Sequence, residues 1–219
     1  MDKNKITLMA TTAIFTLALA VMVFSFLQFS GGKSSITQIA GSSVIDTPQQ
    51  NVQSTQTQNT QSIDILPKGV PEIYGKELSV SYDDISVNDQ QKADAVLKKI
   101  GALDTQIKLS GEEQQRYIKV GTQISCEYCC GVETIIFENG QAACGCAHSF
   151  AMRGIAKYIL KYHGKEYTDD QILEELGKWK ALFFPSKMAA KAQVLKDKGI
   201  ELNYINLGSN KYRGIENKK

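Results

Sequence analysis

Five cysteines, Cys126, Cys129, Cys130, Cys144 and Cys146, are all that this 219-residue chain carries, and they fall within one short stretch. Thiols placed only for packing would scatter over several core elements. A Cys-x-x-Cys-Cys group and a Cys-x-Cys-x-His group joined by one brief connector instead suit convergence on a single point. The chain must therefore double back between Cys130 and Cys144. Val132 to Ala143 reads as two short strands about Asn139-Gly140, the dipeptide favoured in a type I′ turn because both central residues take positive φ. Beyond Cys146, Phe150, Ala151, Ile155, Tyr158, Ile159 and Tyr162 recur at three- and four-residue steps and Gly164 follows, which predicts a helix starting at the second cysteine group. Backbone N–H groups and the dipole at such a helix start favour thiolate over thiol.

A knuckle, a hairpin and ligands at a helix start resemble a treble-clef zinc finger over about Cys126 to Gly164, with Cys-x-Cys-x-His in place of the usual second Cys-x-x-Cys. The candidate metal ligands are Cys126, Cys129, Cys144 and Cys146. Vicinal Cys129 and Cys130, both candidate ligands, do not readily serve one tetrahedral ion together, so one of the two is spare: a packed thiol, a redox partner or an exchange ligand. His148 is a ligand, a thiolate partner or a cap. Thiolate-rich sets suit Zn²⁺ first, and Cu⁺ or an iron–sulfur cluster after it. Two other readings stand beside metal binding. Two disulfides among Cys126, Cys129, Cys144 and Cys146 would merely stiffen the domain, though the odd cysteine count and the length of the chain argue against a need for staples. A thiol–disulfide oxidoreductase would use Cys126-Glu-Tyr-Cys129, but a hairpin rather than a βαβ unit follows that pair.

The N-terminus sets the expected compartment. Ile6 to Phe29 holds no charged residue and follows Asp2, Lys3 and Lys5. It is long enough to cross a bilayer core of about 30 Å as a helix. The expected organisation is a cytoplasmic segment 1–5, a transmembrane helix or signal anchor over 6–29, a disordered Ser/Thr/Gln/Asn-rich linker over 30–63, and an extracytoplasmic cysteine-rich domain over 64–219. Within the domain, Asn88 precedes a stripe of Ala93, Val96, Leu97 and Ile100. Ser110-Gly-Glu-Glu113 and Thr168-Asp-Asp-Gln171 are capping boxes, the second opening a helix through Ile172, Leu173, Leu176 and Trp179. Pro185 ends that helix, Ser186 caps a last one through Lys198, and Ile200 to Leu207 is expected as a short strand or extended tail. The expected fold class is α+β, a mostly helical domain with a small β-hairpin between the cysteine clusters, preceded by one transmembrane helix.

Cys144-Gly-Cys146-Ala-His148, its helix and Thr168-Asp-Asp-Gln-Ile172 resemble the PCYCGC-motif membrane-anchored extracytoplasmic proteins, and more distantly the thiol subunits of cytochrome c maturation. The resemblance covers about a third of the domain and reaches only Cys144, Cys146 and His148. It implies thiol or metal handling at the outer membrane face. Lys and Arg total 25 against 23 Asp and Glu. That near-balance points to solvated lysine faces rather than a nucleic-acid footprint. His163 sits at a helix end, where imidazolium complements the dipole. Trp179 to Pro185 is either core or an exposed edge for a protein partner. No phosphate loop, zinc-protease helix or nucleophile elbow occurs, so no catalytic residue is assigned. The reading is a membrane-anchored metal-binding protein, with a thiol–disulfide oxidoreductase as the alternative.

Overall fold

The computed structural model describes residues 63–218. The expected span over 6–29 and all but the last residue of the expected linker lie outside them. No helix among the described residues is long and apolar enough to cross a membrane. The elements are α1 (Gly75–Leu78), α2 (Gln90–Gln106), α3 (Gly111–Gly121), α4 (Ala147–His163), α5 (Asp169–Phe183), α6 (Pro185–Asp197) and α7 (Tyr204–Gly208), with short 3₁₀ turns at Tyr82–Asp84, Asn210–Tyr212 and Ile215–Asn217.

Both capping boxes form. Ser110 and Thr168 each accept from the backbone of the third helical residue, while Glu113 and Gln171 reach back to the cap. Asp89 rather than Asn88 caps α2, accepting from the Lys92 amide. Of the stripe on α2, Ala93, Val96 and Ile100 are buried. Val96 and Ile100 join Ala151, Met152, Ile155 and Ile159 of α4, Tyr117 and Val120 of α3, and Ile172, Leu176 and Trp179 of α5 in one apolar core. The α2–α4 crossing is close because Gly154 faces α2 backbone, where a Cβ would stand 2.0 Å from the Ile100 carbonyl oxygen. A second cluster joins Ile65, Ala181, Met188, Ala192, Leu195 and Leu207 under α6 and α7. Trp179, Ala181 and Leu182 are buried, so the segment to Pro185 is core rather than an exposed edge.

The α+β expectation is corrected: the described residues are helical and contain no strand, only isolated bridges, one of them Ile136 with Ala142. A turn does form at Asn139-Gly140, closed by Gly140 N–H to Phe137 O at 2.8 Å and Phe137 N–H to Gln141 O at 2.8 Å. Only Gly140 takes positive φ there, so the loop is longer than a two-residue type I′ turn. Pairing across the turn reaches the Ala143 amide on Ile135 O at 3.1 Å and goes no further, because the Ile135 amide turns away to Ile124 O. At the C-terminal end, Asn203 Oδ1 accepts from the Asn206 amide and starts α7, so the expected strand over 200–207 is also a helix in its second half.

Candidate metal centre

Two loops bring the cysteines together. The first, from Ile124 to Gly131, is tied to the C-terminal segment: Ile124 bridges Ser209, the Asn210 amide donates to Gln123 O, and Ser125 Oγ donates to Asn210 Oδ1. It then tightens, with the Tyr128 amide on Cys126 O and Glu127 at φ 57°. A non-glycine residue in the left-handed region costs about 1–2 kcal/mol. What holds Glu127 there is charge: its carboxylate accepts from Lys180 Nζ at 2.7 Å, Lys191 Nζ at 3.3 Å and the Gly214 amide at 2.7 Å, and both lysine side chains are fully buried. The second loop, Cys144 to Cys146, is held from α4. Buried Arg153 donates to Cys144 O at 2.7 Å and to Ile135 O, and pairs with Asp104 of α2 at 2.7 Å. Cys146 is the N-cap of α4, its sulfur accepting from the Ser149 amide.

The sulfurs of Cys126, Cys130, Cys144 and Cys146 lie within 4.8 Å of one another. Cys130 and Cys144 are joined as a disulfide, while Cys126, Cys129 and Cys146 are free. Cys126 Sγ stands 3.2 Å from Cys130 Sγ and 3.8 Å from Cys146 Sγ. A tetrahedral ion with Zn–S bonds near 2.3 Å has S···S edges of about 3.8 Å. The cluster is thus geometrically able to hold a metal ion once the Cys130–Cys144 bond is reduced. Cys129, Cys146 and His148 form a second set whose ligand atoms also fall within 4.8 Å.

The cluster is electrostatically uneven. The sulfur–sulfur hydrogen bond between Cys126 and Cys146 at 3.8 Å, together with the Ser149 hydroxyl and amide, lowers the Cys146 thiol to about 6. The same hydrogen bond, and then burial, push Cys126 far up, so its proton stays. Burial holds His148 below the usual imidazole range, leaving a neutral ring. That ring packs against Phe183 and Phe184, each with centroids 4.9 Å away, and its buried Nδ1 takes no hydrogen bond. Burial also draws Lys180 down to about 8 against the opposing pull of Glu127.

All six sequence candidates, Cys126, Cys129, Cys130, Cys144, Cys146 and His148, therefore meet in one place, and Cys130 belongs to the four-sulfur set rather than standing surplus. Cys129 joins His148 in the other set. His163 stays apart, bonded to Glu77 at 2.9 Å. Sequence reasoning missed Glu127, Lys180, Lys191 and Arg153, and read the lysines as solvated. A signal was present: Lys180 and Lys191 fall on the three- and four-residue steps of buried stripes, Leu173-Leu176-Lys180 and Met188-Lys191-Leu195. Comparison with known protein families, curated proteins and solved structures finds no match to this chain.

Proposed function

We propose that this protein is a membrane-anchored, extracytoplasmic metal-binding protein in which Cys126, Cys130, Cys144 and Cys146 hold Zn²⁺ as thiolates. The observation that carries the reading is the gathering of four sulfurs from two loops within 4.8 Å, each loop locked by buried charge from elsewhere in the fold. A four-thiolate tetrahedron fits zinc, and Cu⁺ or an iron–sulfur cluster are the competing occupants of so soft a set. The uncharged run from Ile6 to Phe29 supports the anchor and the outward location, and the resemblance to PCYCGC-motif proteins fits metal or thiol handling there. Bound metal would neutralise converging thiolates. The chain's own part is to present them on a preformed frame.

The test is zinc content of the full chain purified anaerobically in detergent with reductant, beside a Cys130→Ser/Cys144→Ser variant. Tightly bound zinc in the wild type, with the four-sulfur portion lost in the variant, is the expected result. Copper or iron at that position would change the occupant. A reduced wild type that binds no metal overturns the reading.

One observation favours a second reading, thiol–disulfide exchange. Cys126 Sγ lies 3.2 Å from the Cys130 sulfur of the Cys130–Cys144 disulfide. Deprotonated Cys126 attacking Cys130 would form Cys126–Cys130 and release Cys144 as thiolate, with no net oxidation. The high pKa of Cys126 weighs against it, because the attacking species is the thiolate. Metal-free reduced protein whose thiols equilibrate with a glutathione buffer would favour this alternative.

A further inference from the structure

We propose that Cys129, Cys146 and His148 form a second metal site, joined to the four-thiolate centre through the Cys146 sulfur, which takes a zinc-class divalent cation with one exchangeable ligand. The inference deepens the metal-binding reading and rests on it for the shared, two-ion state, although its own three donors do not need the Cys130–Cys144 bond to open.

Four observations converge. The three ligand atoms lie within 4.8 Å of one another, and Cys146 is the single residue common to both donor sets. Cys129 and Cys146 are both free even with the Cys130–Cys144 disulfide closed. His148 Nδ1 is buried and takes no hydrogen bond, an expense in free energy that a native fold seldom leaves unrelieved, and Phe183 and Phe184 hold the ring in place. The environments differ in depth: Cys126 and Cys144 of the first set are buried beside exposed Cys130, whereas the second set has no fully buried ligand residue, Cys129 being exposed and Cys146 and His148 half-buried. Two thiolates and an imidazole leave the fourth tetrahedral position to water or to an incoming thiol, the ligand count of open zinc sites, whereas four thiolates close a site. His148 also lines an open cavity of about 290 Å³ with Ile85, Ser86, Gln90, Leu97 and Phe183, room enough for water to reach the ring.

Charge accounting agrees with two ions. Five thiolates with two divalent cations leave one net negative charge, and the buried Lys180–Lys191–Glu127 group beside Cys126 leaves one net positive charge. An ion at the three-donor site shares the Cys146 sulfur with the four-thiolate one, so transfer between them proceeds by exchanging single ligands rather than by releasing the ion to water.

The experiment counts zinc bound by the full chain under reducing, anaerobic conditions, using native mass spectrometry, for wild type, Cys129→Ser, His148→Gln and Cys130→Ser/Cys144→Ser. Cys129 is exposed, so its substitution leaves the core intact, and thermal melting checks the fold of each variant. Two zinc ions in wild type and one in every variant are expected. In the disulfide form, one Co²⁺ with thiolate-to-cobalt absorption should bind in wild type and be lost, or weakened at least tenfold, in Cys129→Ser and His148→Gln. One zinc in wild type that Cys129→Ser and His148→Gln retain and Cys130→Ser/Cys144→Ser loses overturns the second site while leaving the four-thiolate centre standing. One zinc lost only in Cys129→Ser and His148→Gln supports the open site and overturns the four-thiolate one. No zinc in any form sinks both.

Discussion

Glu127 is the residue on which the first cysteine loop turns, and its charge matters more than its backbone. With the carboxylate in place, burial alone would raise its pKa, but Lys180, Lys191 and the Gly214 amide hold it below the usual carboxylate range. Glu127→Gln leaves two fully buried ammonium groups without a counter-charge, a change that costs about 3–5 kcal/mol. Urea unfolding should show that loss, and restoration by also replacing Lys180 and Lys191 with methionine would identify charge rather than shape as the cause. A variant within 1 kcal/mol of wild type, on the scale of an exposed ion pair, would show that these lysines are not paying a burial cost. Cys146 makes a pH prediction. Its thiol falls to about 6, so in metal-free protein with the disulfide closed it should react with iodoacetamide at near-full rate at pH 7 and lose half that rate near pH 6. The sign follows for stability: a depressed thiol stabilises the fold above the unfolded thiol pKa of about 8.5, and that contribution is lost as pH falls through 6. A rate that keeps rising up to pH 9 would contradict it. At this scale the six ligand candidates were legible because spacing alone gathers them. The lysines were not, because a lysine on an apolar stripe is ordinarily a snorkelling one, and only the distant Glu127 shows that these two end in the core.

Between elements, the tightest constraint is the α2–α4 crossing. Gly154→Ala puts a methyl group against the Ile100 carbonyl, which is backbone and cannot rotate aside, so the helices must separate. Overpacking of this kind costs about 1–3 kcal/mol. It should lower the thermal midpoint and, because Arg153 next to it holds Cys144 O, also weaken metal binding. Unchanged melting would show that the crossing relaxes freely. Two helix starts were read well because a capping box is local: Ser110 with Glu113 and Thr168 with Gln171 each need only one turn of chain, whereas Ser186, expected as a cap, lies inside α6, which Pro185 opens. The hairpin was read wrongly for the opposite reason. Asn139-Gly140 signals its turn, but the pairing stops at Ile135 and Ala143 because the Ile135 amide is taken by Ile124, which lies outside the segment. Residues 203–206 carried a usable signal, an asparagine cap three residues before its donor, that the strand-like alternation Ile205-Asn206-Leu207 obscured.

Taken as a whole molecule, the described domain separates what makes it fold from what makes it bind. The main core runs through α2, α3, α4 and α5 and takes in two of the sulfurs, Cys126 and Cys144, but the helices supply most of it. Arg153, Asp104 and Lys157 fix the α4 end of the site with no sulfur involved. A small zinc finger has no such core and unfolds without its ion. Here, stripping metal from reduced protein with a chelator should preserve the helical circular dichroism and lower the thermal midpoint modestly. Amide exchange should quicken chiefly between Gly131 and Ala143, the connector whose ends the metal or the disulfide pins. Closing the Cys130–Cys144 bond, 14 residues apart, should return about 3 kcal/mol by restricting the unfolded chain. Loss of all helical signal on chelation would mean that the cysteine centre is the nucleus of the fold rather than a site mounted on it. The retained helices would instead leave an apo state already shaped to recapture its ion, as a protein that loads and releases metal requires.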